Sequence, residues 1–268
     1  MLKQLKLFCL ALAFLSRIPV PQNIPFSEHW QRQAQRYYPA VGLLLALLLL
    51  PLFYSVSYLL GSAVGVVAML AASTLLTGGL HEDGFADCCD GFGGGYGDRE
   101  KTLLIMKDSL LGTFGVIGLV LLLLLKYALL QQLALQSWTL FGLTVISAYS
   151  MSRWQPLLIM RRLDYVVRDS SRVVDQAKRP SLRLVLLTSL WGGGGLLLLA
   201  LLHSTGVQLL AVLLLPAVLL SLWSIVYCHY LERSLAGYTG DCLGATQQVA
   251  ECIIYCSMVF FLRQGWLF

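Results

Sequence analysis

Long apolar runs separated by short polar segments dominate the pattern of this chain. Seven runs, at roughly 38–59, 62–80, 110–130, 138–159, 184–203, 207–228 and 252–267, carry almost no charge. About 18 such residues in a helix cross the roughly 30 Å hydrocarbon core of a bilayer. A helix also closes its own backbone hydrogen bonds where no water is present. The pattern therefore predicts an all-α, polytopic integral membrane protein of about seven transmembrane helices, the last being the shortest. Composition agrees, with 57% of residues hydrophobic and 12% charged, whereas a soluble domain is about one quarter charged.

Ahead of the first run, Lys3 and Lys6 precede an apolar stretch that ends near Leu15. It resembles a secretory signal, but Ser16-Arg17-Ile18-Pro19-Val20-Pro21 follows in place of a small-x-small cleavage site. The expectation is an uncleaved interfacial or half-inserted helix with a proline-rich exit. If the first span starts inside, the N-terminal arm and the segments 81–109, 160–183 and 229–251 face the cytoplasm. Lys126 and Arg263 are then the only basic residues at or toward the outer side, and no Asp or Glu lies there. That distribution follows the positive-inside rule. It predicts a multi-pass protein of the inner (cytoplasmic) membrane whose active site faces the cytoplasm. The seven cysteines show no C-x-x-C pair and read as reduced, structural thiols.

The polar residues concentrate in two places. In Thr77-Gly78-Gly79-Leu80-His81-Glu82-Asp83-Gly84-Phe85-Ala86-Asp87-Cys88-Cys89-Asp90-Gly91, four carboxylates fall within nine residues. On a helix, Asp83, Asp87 and Asp90 would share one face at i, i+4 and i+7. Such a face repels itself unless a cation sits on it, and hard oxygen ligands suit Mg2+ or Mn2+. His81 beside them is a candidate metal ligand, base or helix cap. The glycines after Asp90 leave backbone amides open to a phosphate, and a flexible linker explains them nearly as well. Arg99, Lys101 and Lys107 beyond the glycines are candidates to neutralise phosphate oxygens, or else orientation signals.

The second concentration, Gly237-Tyr238-Thr239-Gly240-Asp241 through Gln248 and Glu251, lies on the same expected side. Asp241 is a candidate metal ligand and Gln248, seven residues on, a candidate substrate hydrogen bond. Arg153 interrupts an apolar run, which makes it a candidate for an anionic partner, either a substrate phosphate or a structural carboxylate. The basic stretch Arg161–Arg183, with Asp164, Asp169 and Asp175 interspersed, reads as topology plus attraction to anionic lipid or substrate. No nucleic-acid motif accompanies it. His29, His203 and His229 read as structural, and Gly192–Gly195 as a site of close helix packing or a kink.

Thr77-Gly78-Gly79-Leu80-His81-x-Asp83-Gly84-x-Ala86-Asp87-x-x-Asp90-Gly91, then Ile105-Met106-Lys107-Asp108-Ser109-x-x-Gly112-Thr113, then Thr239-Gly240-Asp241-x-Leu243-Gly244-Ala245 together resemble the cobalamin synthase family, the adenosylcobinamide-GDP ribazoletransferases. Phe14-Leu15-Ser16-Arg17-Ile18-Pro19-Val20-Pro21 and Tyr38-Pro39-x-x-Gly42 are similar to it as well, so the likeness runs nearly end to end. The resemblance implies Mg2+-dependent joining of alpha-ribazole, or its 5'-phosphate, to adenosylcobinamide-GDP with release of GMP. By that resemblance Asp83, Asp87 and Asp90 hold the metal, and one of them or His81 is a candidate to take the proton of the attacking hydroxyl. Asp241 stands as the further candidate ligand from the second segment, and Lys107, Arg99, Arg153, Asp241 and Gln248 as the candidates to bind substrate. Glu82 departs from the family pattern, where an apolar residue stands, and is left off the catalytic set. A homo-oligomer or an assembly with other corrinoid enzymes is compatible with the resemblance.

The expected organisation is a single membrane-embedded catalytic domain over 1–268. It has an interfacial arm at 1–37, an acidic active-site loop at 81–109, a basic loop at 160–183 and a second site segment at 229–251. Two alternatives remain at this stage. Asp87-x-x-Asp90-Gly91 echoes the opening of the CDP-alcohol phosphotransferase signature, although the rest of that signature is missing. An ion-coupled transporter would need charges deep in several spans and an internal repeat, and Arg153 alone reads as that deep.

Overall fold

The computed structural model describes residues 2–25, 27–166 and 179–267. Among them every regular element is a helix, and the one β-bridge, between Tyr165 and Tyr238, is isolated. The helices are α1 (Leu2–Leu15), α2 (Glu28–Ala34), α3 (Tyr38–Leu60), α4 (Ser62–Thr77), α5 (Leu80–Gly95), α6 (Arg99–Lys107), α7 (Thr113–Gln136), α8 (Trp138–Arg162), α9 (Leu182–His203), α10 (Gly206–Leu235) and α11 (Gly240–Arg263). A 3-10 turn, Gln35–Tyr37, joins α2 to α3.

The stretch His29–Leu60 and helices α7, α9, α10 and α11 are long and apolar enough to cross a bilayer, and the bent pair α4 and α5 makes a sixth candidate span. These helices make the chain an all-α polytopic membrane protein. Helix α8 is 25 residues long but more polar. Nearly every residue from Leu140 to Met160 is buried, on all sides of the helix. Helices α3, α9, α11 and α7 pack around it. A helix enclosed by protein meets no lipid, so its surface is free to carry Ser147, Ser150, Ser152, Arg153 and Gln155, all buried.

Three element boundaries differ from the sequence pattern. The apolar run 62–80 does not continue as one span. Gly78 and Gly79 are both left-handed, at φ 70° and 73°, and the chain turns by 89° between α4 and α5. Two consecutive left-handed residues are tolerated because glycine has no Cβ. The N-terminal arm braces this corner, where the Arg17 amide donates to the Leu76 carbonyl at 2.7 Å. The glycine tract after Asp90 is the last turn of α5, not a linker. Gly91 and Gly95 lie against Met106 and Thr102 of α6, and Gly93 against Phe114 of α7. Finally, α11 begins at Gly240, well before the apolar run at 252, so Gln247, Gln248 and Glu251 sit inside a helix and are buried. Of the basic stretch, 167–178 lies outside the described residues and with it Asp169 and Asp175.

Helices α5 and α11 cross at backbone contact. A Cβ on Gly84 would stand 2.9 Å from Asp241 Cα and 3.0 Å from its carbonyl oxygen. One on Gly244 would stand 3.2 Å from the His81 carbonyl oxygen. Backbone atoms cannot rotate away as a side chain can. Gly84→Leu is therefore expected to cost about 1–3 kcal/mol of stability, read as a lowered Tm of the detergent-purified protein. Gly193→Ala, where a Cβ meets nothing within 4 Å, is not expected to lower it.

Candidate active site

The crossing of α5 and α11 places the two polar sequence segments side by side. Asp241 stands in the first turn of α11, where Thr239 is the N-cap. The Thr239 hydroxyl accepts from the Cys242 amide at 3.4 Å and donates to Asp241 Oδ2 at 3.1 Å. Asp83 faces Asp241 from α5, and both line one cavity. Asp87 follows one turn later on α5. Helix α5 carries four carboxylates and is not among the helices apolar enough to span by themselves; it counts toward a span only together with α4, across the 89° bend. The Asp87 carboxyl stands within electrostatic reach of Asp83, Asp241 and Asp90. Crowded carboxylates of this kind attract a cation.

The donor chemistry fits a hard divalent ion. Among the described residues, no three His, Cys, Asp or Glu side chains are gathered closely enough to cage a metal by themselves. Mg2+ does not need such a cage, because it commonly takes one or two carboxylates and fills its octahedron with water and substrate phosphate.

Asp90 departs from the expected three-aspartate face. It is buried, and its Oδ2 and Oδ1 accept from the amides of Gly112 (2.7 Å) and Gly115 (2.8 Å) at the start of α7. It therefore satisfies backbone donors that the first turn of α7 leaves unpaired. Gly112 and Gly115 are glycines for a steric reason, since a Cβ on either would collide with the Asp90 carboxylate. Asp83, Asp87 and Asp241 remain as the open group.

His81 lines the cavity and is buried. Arg99 and Lys107 do not converge on this group. The Arg99 guanidinium donates to the Leu235 carbonyl at the end of α10, at 2.7 Å, and Lys107 is exposed at the end of α6.

Behind the open carboxylates lies a buried ionic network that composition did not reveal. Glu251 accepts from Arg153 Nη1 through Oε1 at 2.6 Å and from Lys126 Nζ through Oε2 at 2.7 Å. Lys126 also donates to Gln248 Oε1, and Gln248 Nε2 donates to Glu82 Oε1 at 2.9 Å. The Arg153 guanidinium lies over the Tyr149 ring, 4.5 Å from its centroid. The anionic partner of Arg153 is thus Glu251. Lys126, placed toward the outer side by charge sorting, is 2% exposed and stands midway along α7. The side-chain amide of Gln248 is committed to Lys126 and Glu82. Glu251 was missed because it is one carboxylate at the head of an apolar run, with no local motif around it.

The cavity measures about 860 Å³. It lies between the N-terminal arm and the bundle, with Asp83, His81, Arg153, Asp241 and Gln247 on its bundle side. Tyr165 and Tyr238 meet at its wall with ring centroids 5.5 Å apart. Their segments are joined by backbone hydrogen bonds, Val166 to Tyr238 at 2.9 Å and Tyr238 to Asp164 at 3.0 Å.

A family model described as cobalamin-5-phosphate synthase matches residues 7–259. The chain is 38% identical to an adenosylcobinamide-GDP ribazoletransferase of Shewanella amazonensis, over 98% of both chains. It is 39% identical to one of Vibrio cholerae, over 97% of this chain and 95% of the relative. To one of Vibrio parahaemolyticus it is 35% identical, over 97% and 94%. No solved structure matches the chain.

Glu251→Ala would strand two buried cations and is expected to destabilise the protein by about 3–5 kcal/mol. Arg179→Ala, which breaks an exposed 3.2 Å pair with Asp164, is expected to cost about 0–1 kcal/mol. Chemical unfolding of both purified variants checks the contrast.

Proposed function

The chain belongs to the cobalamin-5-phosphate synthase family, and from that membership we propose that it is an adenosylcobinamide-GDP ribazoletransferase. It joins alpha-ribazole, or its 5'-phosphate, to adenosylcobinamide-GDP, and GMP leaves. Neither a phospholipid synthase nor a transporter is favoured by these relatives. The observation that carries the reading to particular residues is the pair Asp83 and Asp241, held at the α5–α11 crossing on the wall of a cavity, with Asp87 one turn further along α5.

In this reading one or two carboxylates of the group, Asp83 and Asp241 with Asp87 one turn along α5, would hold Mg2+ together with water and substrate phosphate, and the ion would offset the charge of the transferring phosphoryl group and of the departing GMP. Asp90 acts one step back. By capping α7 it fixes the register of α5 against α7 and so the direction in which Asp83 and Asp87 point. The Glu251 pairing keeps Arg153 from competing for those carboxylates. The half-exposed carboxylates leave one face open to a hydroxyl nucleophile and to a pyrophosphate. Arg99, Lys101, Arg161, Arg162 and Arg179 lie at helix ends or in connections. That distribution supports a site facing the cytoplasm at the inner membrane.

The test is GMP release by the purified protein given adenosylcobinamide-GDP and alpha-ribazole, with and without Mg2+. Release is expected to need both Mg2+ and the ribazole. Asp83→Ala is expected to lower kcat by about 100-fold or more, with the Tm unchanged because Asp83 is exposed. Release without ribazole, or indifferent to Asp83, would overturn the assignment.

A further inference from the structure

We propose that the cavity beside Asp83 and Asp241 seats the acceptor, the apolar-base ribonucleoside, and that Gln35 and Gln247 recognise it. The proposal rests on the reaction proposed above and assigns the cavity to one of its two substrates. Three observations carry it.

The first is size. About 860 Å³ falls in the range of small-molecule sites, roughly 300–1,000 Å³. A ribonucleoside or its 5'-phosphate fits with room to spare. A corrinoid bearing an adenosyl group and a guanosine diphosphate has far more atoms than such a space holds.

The second is wall chemistry. Leu10, Ala13 and Phe14 of α1, Tyr38 of α3, Met160 of α8 and Leu243 of α11 line the cavity. A dimethylbenzimidazole base carries no exocyclic polar group and suits these walls.

The third is the set of unsatisfied polar atoms. Gln35 Oε1, Gln247 Oε1 and Arg153 Nε are buried and have no hydrogen-bond partner among the described residues, and all three residues line the cavity. Buried polar atoms of this kind are paired in nearly all native structures. Two carbonyl oxygens call for donors, which ribose hydroxyls supply, and one N–H calls for an acceptor. An acyl chain from the bilayer would satisfy none of them. The same cavity reaches Asp83 and Asp241, so a ribose hydroxyl held there is next to the carboxylates that prepare the phosphoryl group.

The experiment is equilibrium dialysis of radiolabelled alpha-ribazole against the detergent-purified full chain, without corrinoid or Mg2+. Two variants are compared with the natural protein. Ala13→Trp narrows the cavity from α1, and Gln35→Leu keeps the volume but removes an amide. Each is expected to weaken ribazole binding about tenfold or more, while the KM for adenosylcobinamide-GDP in GMP release stays within about twofold. Gln35→Leu keeps the test decisive should Ala13→Trp fail to fold. Unchanged ribazole affinity in the folded variants would overturn the proposal. So would a shift in the corrinoid KM instead, or a co-purifying phospholipid that ribazole does not displace. Ribazole binding that responds to both variants, without any GMP release, would sustain the cavity assignment and refute the reaction.

Discussion

Glu251 is the constraint around which the bundle is arranged. A carboxylate 3% exposed within a membrane protein cannot remain charged without close cations, and it has two, Lys126 from α7 and Arg153 from α8. Satisfying it requires three helices to meet at one depth and one rotation. Gln248 extends the requirement to Glu82, which brings α5 into register with the same three. Lipid tails are as apolar as leucine, so hydrophobicity alone does little to specify which helix faces which. A buried ionic centre does specify it, because every mismatched arrangement leaves a charge unpaired.

The acidic site is built on that register. Once α5 and α11 are aligned, Gly84 and Gly244 let their backbones touch, and the carboxylates of Asp83, Asp87 and Asp241 are gathered from segments more than 150 residues apart in the chain. Asp90 secures the other side by capping α7. The mutual repulsion of the open carboxylates is thus imposed by packing rather than by local helix formation. It is held in place by interactions that do not themselves take part in chemistry.

The N-terminal arm completes the arrangement. Helix α1 and the turn at Gln35–Tyr37 close over the face where the carboxylates emerge, and the space left between arm and bundle is the cavity. A site with apolar walls and a charged floor suits a reaction between an apolar-base nucleoside and a large amphiphilic nucleotide. Enclosure by the other helices also frees α8 to contribute Ser152, Arg153 and Gln155 to the interior.

The sequence by itself determined the class of the protein, because spanning helices are written locally as unbroken apolar runs and the bilayer admits few alternatives. The spacing of Asp83, Asp87 and Asp90, and the motifs around them, were equally legible, since helical periodicity and family likeness need no tertiary knowledge. The corner at Gly78-Gly79 was not, because a left-handed glycine pair looks the same as glycines inside a span until the chain is seen to turn. Nor were the roles of Lys126, Glu251 and Asp90. Each depends on a partner on another helix: Lys126 and Arg153 across the bundle for Glu251, and the amides of Gly112 and Gly115 for Asp90. Burial and pairing are properties of the assembled bundle, so only the tertiary structure decided which carboxylates stay open to solvent and which hold the protein together.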